Sequence, residues 1–179
     1  WWSRYHKYTD VEYLGLMDKF KEKRVPLSVG VVDMDWHITE TPDRERYGSG
    51  WTGYTWNKAY FPDYKQFLAE MKKRGLKVTL NLHPRDGIRA YEEMYPTLAE
   101  RLGRDPETGR KIEFDVADRR FMEEYFNTVL HPYEADGVDF WWIDWQQRSG
   151  SSVAGYDTLW MLNHCHYVDN ARDGHRPLT

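Results

Sequence analysis

The fold predicted from the sequence rests first on the segment GVDFWWIDW, residues 137–145. Gly137 marks a turn, and the apolar run Val138–Ile143 has the length and composition of a strand buried on both faces of a sheet. This run ends in the carboxylate residue Asp144. Upstream, apolar residues recur at helical spacing over Asp118–Glu134, which predicts a helix. The segment therefore completes one helix–strand unit.

The same unit occurs twice earlier in the chain. A predicted helix over Asp10–Lys23 precedes a predicted strand over Leu27–Val32. A second helix over Asp63–Arg74 precedes a strand over Lys77–Leu82. One more helix, Tyr156–Arg172, follows the last strand. Helices that alternate with buried strands are typical of a parallel sheet with helical crossovers, so the fold class is α/β.

Two features favour a closed barrel over an open, doubly wound sheet. No glycine-rich phosphate loop follows any of the predicted strands. The connections after the strands are also long, whereas those before the strands are short, as in barrels that carry an active site on one face. The long connections are Trp36–Pro62, Pro84–Ala117 and Trp145–Gly155. We predict a (β/α)8 TIM barrel, of which residues 1–179 form a partial catalytic domain covering about the first half.

Composition narrows the possible partners. The net charge of -4 argues against a nucleic-acid binder, which needs a basic surface. No apolar run reaches the length of a bilayer span, so we expect no membrane partner. Nine Trp and thirteen Tyr exceed what a core of this size needs. They either fill a large core or line a site for ligands with flat apolar faces, such as sugars.

Asp144 is the first candidate for chemistry. It ends an apolar strand between tryptophans, where water is partly excluded and charge interactions are strong. A carboxylate placed there can attack or stabilise the oxocarbenium-like transition state of a glycoside. Alternatively, it caps the following turn. We also expect Trp142, two residues before Asp144, to contact a substrate.

Polar residues end the other two strands as well. Asp33 and Asp35 form an Asp-x-Asp pair, and side chains two apart on a strand share a face. They are candidates to bind sugar hydroxyls, with a metal site or a turn cap as alternatives. His83 ends the second strand and either binds a hydroxyl, acts as a base, ligates a metal or is structural.

The loop GWTGYTWN, residues 50–57, is rich in aromatic residues and glycine. Trp51 and Trp56 are candidates for the wall of a sugar-binding subsite, because long loops on this face of a barrel often carry function. The alternative is that the loop packs over the barrel rim by its own aromatic side chains.

Taken together, these residues resemble glycoside hydrolase family 31. The resemblance runs from DMDW at 33–36, through TWN at 55–57 and FPD at 61–63, to RGLKV at 74–78 and WID at 142–144. It covers nearly the whole chain. Its order and spacing are similar to those of the family's barrel from the end of the first strand to the start of the fifth.

The resemblance implies retaining hydrolysis of α-glycosides without a metal or organic cofactor. Asp144 would be the nucleophile and Asp33 would bind hydroxyls of the sugar at the cleavage site. The acid/base residue would lie beyond Thr179, in the remainder of the parent chain. An α-glucosidase is the specific expectation, with an oligosaccharide or another α-glycoside as substrate, and the fragment alone is expected to be inactive.

Two departures separate this chain from the usual family pattern. Asp144 is followed by Trp145-Gln146-Gln147 where the family usually has Met-Asn-Glu, and His83 stands where many members have Asp. They leave open which sugar is bound.

Two rival hypotheses also remain open. One is a metal-dependent hydrolase on the same barrel, with Asp33, Asp35, His83 and Asp144 as ligands. The other is a non-catalytic sugar-binding homologue.

Overall fold

A computed structural model of the chain describes residues 1–145 and 150–179. The described part contains a parallel sheet with the strand order β1-β2-β3. The strands are β1 (Val29–Val32), β2 (Lys77–Leu82) and β3 (Phe140–Ile143). An additional parallel bridge joins Trp2 to Gly30 beside β1. The strands occur where the sequence predicts them, and their parallel pairing confirms the α/β class.

Helices connect these strands and cover one face of the sheet. No helix in the described ranges combines the length and apolar character needed to cross a bilayer. The α-helices are α1 (Asp10–Glu22), α2 (Arg44–Tyr47), α3 (Tyr64–Lys73), α4 (Tyr95–Arg101), α5 (Arg119–Glu124), α6 (His131–Asp136) and α7 (Thr158–Asn170).

The start of α1 and its packing on β1 illustrate how the sequence fixes these elements. Thr9 and Glu12 form a capping box, each side chain binding the backbone N–H of the other. Gly30 of β1 then allows the helices to approach closely, because a Cβ there would lie 2.4 Å from Met71 Cε and 3.1 Å from the Tyr13 hydroxyl. A larger residue at Gly30 would push α1 and α3 away from the sheet.

Alternation along the strands separates two environments. Val78, Leu80 and Leu82 of β2 point into the large core beneath the helices. The intervening residues Thr79 and Asn81 are fully buried on the opposite, inner face. Their register neighbours on that face include members of a second apolar cluster formed by Val29, Val31 and Phe140, with Trp142 packed against it. The inner face leads up to the strand ends that carry the candidate residues.

The helix expected over Asp118–Glu134 is interrupted. Between α5 and α6, residues Tyr125–Leu130 form a π-helix, so the helical run has a widened turn in its middle. Pro132 lies in the first turn of α6 and has no N–H to donate to a carbonyl in the preceding turn, which favours this change of hydrogen bonding. Hydrophobic periodicity alone does not reveal such a change.

The connection Pro84–Ala117, predicted as a long loop, contains α4. This helix has seven residues, and its Leu98 and Ala99 are completely buried. It was missed because two helical turns are too short for a distinct 3.6-residue pattern. The connection is therefore a packed element whose ordered backbone supports the loops around it.

Candidate active site

Asp144 and His83 meet at the carboxyl ends of β3 and β2. Asp144 Oδ2 lies 3.3 Å from His83 Nε2, and the Asn81 side-chain amide donates to the same oxygen at 3.1 Å. The register aligns Leu82 with Ile143, so the residues that follow them are neighbours at the rim. The Asp144 side chain is 31% exposed, whereas that of His83 is 2% exposed. The carboxylate is thus fixed from below and open above.

Asn81 is a site residue that the sequence reasoning missed. It lies inside the predicted strand, whereas the predicted site residues of the strands lie mostly at their ends. The signal was nonetheless present, because Thr79, Asn81 and His83 place polar residues at every second position of an otherwise apolar strand. Such alternation predicts one face of the strand that lines a polar site.

Asp33 approaches the same pair from β1. Its Oδ1 accepts a hydrogen bond of 2.7 Å from the Met34 N–H, which begins a short 3-10 helix. Partial burial raises the pKa of the Asp33 carboxyl. The Met34 N–H and the His83 ring oppose that rise in pKa, while the negative charge of Asp144 adds to it. Asp33 therefore experiences the field of both His83 and Asp144.

Burial and the two neighbouring acids have opposite effects on the pKa of His83. Burial is the largest effect and lowers the pKa of its imidazole, while Asp144 and Asp33 act in the opposite direction. The net result is a lowered pKa, so the ring is neutral at pH 7. A neutral imidazole leaves the Asp144 charge available to a bound ligand.

The expectation that Asp33 and Asp35 share one face is wrong. Strand β1 ends at Val32, and Met34–Trp36 form a 3-10 helix, which replaces the strand's two-residue period. Asp35 is 3% exposed and accepts a hydrogen bond from Thr39 Oγ1 at 2.9 Å. It faces a neighbouring cavity of about 520 Å³, which Trp51 also lines.

The two candidate tryptophans of the 50–57 loop occupy different environments. Trp51 is 41% exposed and its ring meets His83 edge-on, with the ring centroids 5.2 Å apart. Trp56 is 1% exposed and stacks on Tyr64 at 4.8 Å within the core. The structure therefore brings Trp51 to the site but places Trp56 where no ligand reaches its ring. The packing alternative applies to Trp56.

Trp142 and Trp145 flank Asp144 along the chain. Trp142 is partly buried on the inner face, beside the Val29–Val31–Phe140 cluster. Trp145 is 59% exposed, and its ring lies 6.2 Å from that of Trp51 in an edge-on contact. Trp145 was not among the predicted contacts, although its position next to Asp144 pointed to the rim. Gln146 and Gln147, where the sequence departs from the family motif, lie outside the described residues.

The geometry does not assemble the ligand set of the metal-dependent rival. Among the described residues, one group of His and acidic side chains brings its ligand atoms within 4.8 Å of one another, namely His131, Glu134 and Asp169. These belong to α6 and α7, away from the site. Arg172 also pairs with both acids there, so the cluster is an ion-pair network.

The arrangement as a whole offers one partly exposed carboxylate, which accepts a hydrogen bond from the Asn81 amide and lies 3.3 Å from a neutral imidazole, with Trp51 and Trp145 beside it. Such a carboxylate can act as a nucleophile or stabilise a developing cation. Asp33 adds a second acceptor for hydroxyl groups.

Comparisons with known proteins connect this geometry to a family. The sequence profile described as the Glycosyl hydrolases family 31 TIM-barrel domain matches residues 1–172. An α-xylosidase of Emericella nidulans is 31% identical over 77 residues, which are 43% of this chain and 9% of that protein.

Solved structures share the fold at low sequence identity. A family 31 α-xylosidase from a soil metagenome, crystallised with xylose, superimposes with a TM-score of 0.63 at 16% identity, over 96% of this chain and 27% of its own. A xylosidase from Aspergillus niger gives a TM-score of 0.57 at 16% identity, over 98% and 24% of the two chains. This chain thus spans about a quarter of these structures and less of the curated relative.

Proposed function

This chain belongs to glycosyl hydrolase family 31, and we propose that it supplies the nucleophile, Asp144, of a retaining α-glycosidase. The observation that carries the proposal is the fixed yet open Asp144 carboxylate at the ends of the parallel strands. In barrels of this class the active site lies at that end of the sheet.

The proposed reaction is a double displacement. An Asp144 oxygen bonds to the anomeric carbon while the glycosidic C–O bond breaks, and a carboxylic acid protonates the leaving oxygen. In the second step, water attacks the same carbon and gives a proton to the carboxylate that the acid has become. The bond to Asp144 breaks, and the configuration is retained overall. The acid comes from the remainder of the parent chain, about 5–5.5 Å from Asp144 as in other retaining enzymes.

The surrounding residues support these steps. The Asn81 amide orients the nucleophile by donating to Oδ2, and neutral His83 lies 3.3 Å from the same oxygen without forming a full ion pair. Asp33 is proposed to accept hydrogen bonds from hydroxyls of the sugar at the cleavage site, and Trp51 to cover one face of the substrate. Neither a metal nor an organic cofactor takes part in the proposed steps.

The sugar is the finer part of the proposal. The sequence pointed to an α-glucoside, whereas the relatives reported above are named xylosidases. Xylose is glucose without the hydroxymethyl group at C5, so one site shape is compatible with both. We propose an α-linked xyloside or glucoside, with the choice set by the space around C5.

A trapping experiment on the full-length protein tests this proposal. A 5-fluoro-α-glycosyl fluoride should label the protein covalently, because the ring fluorine slows release of the intermediate while the fluoride leaves readily. We expect mass spectrometry to find the label on Asp144, and the xylosyl and glucosyl reagents to distinguish the preferred sugar. A label on another carboxylate, or an inverted first product, would contradict the nucleophile assignment. Sugar binding without turnover would favour the non-catalytic rival.

A further inference from the structure

We propose that Arg89 is a positioning residue, which holds the Trp51 loop (residues 47–55) so that the indole stands beside His83. This inference rests on the proposed function, because a sugar must bind next to Asp144 for the position of Trp51 to matter. Arg89 itself touches neither His83 nor Asp144 in any described contact.

The guanidinium of Arg89 is buried beneath the loop. Its Nη1 donates to the carbonyl oxygens of Tyr47 at 2.9 Å and Ser49 at 2.7 Å, and its Nη2 donates to the Thr52 carbonyl. Arg89 is 2% exposed. One rigid, planar fork therefore fixes the backbone on both sides of Trp51, a geometry that a lysine amine does not reproduce.

The loop has little freedom to adjust around this fork. A Cβ on Gly50 would lie 1.8 Å from the Thr39 carbonyl oxygen, and one on Gly53 would lie 2.2 Å from the His37 ring. The absence of a side chain at these two glycines thus allows the loop to lie directly against the segment that follows β1. The loop backbone therefore cannot move closer to Thr39 and His37. Movement away from them is opposed by the hydrogen bonds from Arg89.

Glu92 secures the far end of the same loop. It accepts hydrogen bonds from the Tyr54 N–H at 3.2 Å and from Thr55 Oγ1 at 2.6 Å, and it is 2% exposed. Burial raises the pKa of its carboxyl, and the nearby charge of Arg89 opposes that effect. Two buried ionisable groups three residues apart therefore bind backbone groups of one loop, at positions on both sides of Trp51.

The loop is also tied to the strand end that carries His83. The Asp86 N–H donates to Thr52 Oγ1 at 3.1 Å, and Asp86 belongs to the turn that immediately follows His83. The Trp51 ring meets that of His83 at an interplanar angle of 87°. If the carbonyls of Ser49 and Thr52 lose their common donor, Trp51 is expected to shift against His83. A misplacement of about 1 Å in a substrate-positioning group can cost roughly 100-fold.

A double-mutant cycle in the full-length protein tests the inference. Arg89→Met removes the donors, Arg89→Lys keeps the charge, and Trp51→Ala removes the indole. We expect each Arg89 variant to lower kcat/KM by roughly 10- to 100-fold, mainly through KM, because Asp144 and His83 stay in place. In the Trp51→Ala background the same Arg89 changes should cost less than about threefold, since the residue acts through the indole. Arg85→Met, which removes an exposed cation nearby, is the matched control.

Hydrogen exchange provides a readout that does not depend on activity. Amides of residues 47–55 should lose protection in Arg89→Lys while those of the strands keep it. Unchanged protection of the loop, or equal effects of Arg89→Lys with and without Trp51, would overturn the inference. Should Arg89→Met fail to fold, the lysine variant still decides the outcome. A wild-type protein without glycosidase activity would instead overturn the proposed function, so the two failures are distinguishable.

Discussion

The two faces of β2 are occupied by different kinds of residue. Toward the helices, Val78, Leu80 and Leu82 are buried in the main core. Toward the inner side, Thr79, Asn81 and His83 are equally buried but polar, and the last two contact Asp144. Burial is the same on both faces, so exposure does not distinguish structural from functional residues here. The polar or apolar character of the side chains at alternate positions distinguishes them.

The comparison implies a division of energetic roles. The outward side chains stabilise the fold through apolar area removed from water. The inward polar groups contribute less to stability, because their burial is costly unless they are paired. Substitutions on the two faces should therefore affect different measurements.

Asp144→Asn should have the largest effect on activity. It removes the nucleophile's charge at nearly constant volume, and we expect kcat to fall by roughly 10⁴- to 10⁶-fold, as when other covalent nucleophiles are removed. Its free energy of unfolding should change little, since the side chain is partly exposed. Steady-state rates and urea denaturation of the full-length protein measure both quantities. Residual activity above a tenth of wild type would break the proposed assignment.

Leu80→Ala should have the largest effect on stability. Leu80 is completely buried in the core between β2 and the helices. Truncation leaves a cavity and should reduce the free energy of unfolding by about 2–5 kcal/mol. At temperatures where the variant is folded, KM should stay within about twofold of wild type, because no described side-chain contact links Leu80 to Asp144. A large change in KM for the folded variant would show that the two faces are coupled.

Asn81→Leu should reverse that pattern. The change keeps the number and branching of the side-chain heavy atoms but removes the amide that donates to Asp144 at 3.1 Å. Hydrogen bonds to charged groups contribute about 1.5–3 kcal/mol, so kcat should fall roughly 10- to 100-fold with a smaller loss of stability than in Leu80→Ala. Thr79→Val, on the same face but one layer deeper, is the matched control and should leave kcat nearly unchanged. Equal losses of kcat in both variants would argue against a specific role for Asn81.

Much of this organisation was predictable from the sequence because it depends on local periodicity. The strand ends at Asp33, His83 and Asp144 follow from apolar runs bounded by polar residues, and parallel pairing brings them to one edge. The alternation of polar and apolar residues that identifies Asn81 as a site residue is equally local. The strands contain enough β-branched and aromatic residues for their positions to be predicted without tertiary information.

The loops were less predictable because long-range contacts determine their conformation. Trp51 and Trp56 lie in the same aromatic stretch, yet Trp56 forms an antiparallel bridge with His37 and stacks on Tyr64, which draws it into the core. Arg89 belongs to a different connection, about forty residues from the carbonyls that it binds. No pattern of spacing within one segment identifies such partners. Sequence reasoning therefore located the carboxylates but not the residues that position the loop beside them.

The smallest effect concerns His83 and pH. Burial lowers the pKa of its imidazole below the usual value, with Asp144 and Asp33 offsetting part of the change. Between the lowered pKa and about 6.5, the unfolded chain binds more protons at this position than the folded protein does. The contribution of His83 to the free energy of unfolding is therefore fully present above about pH 6.5 and is lost as the pH falls toward the folded-state pKa. In His83→Gln, the plot of unfolding free energy against pH should become flatter in this window.

His175→Gln, a substitution at an exposed histidine, is the control for that measurement. Protonation of His83 also places a cation 3.3 Å from the Asp144 carboxylate, which holds the nucleophile in an ion pair. We therefore expect kcat to decline over the same acidic range in the wild type, and the decline to shift in His83→Gln. If the slope of stability and the decline of kcat are both the same in His83→Gln as in the wild type, the inner face would owe its polarity to packing rather than to its charge relation with Asp144.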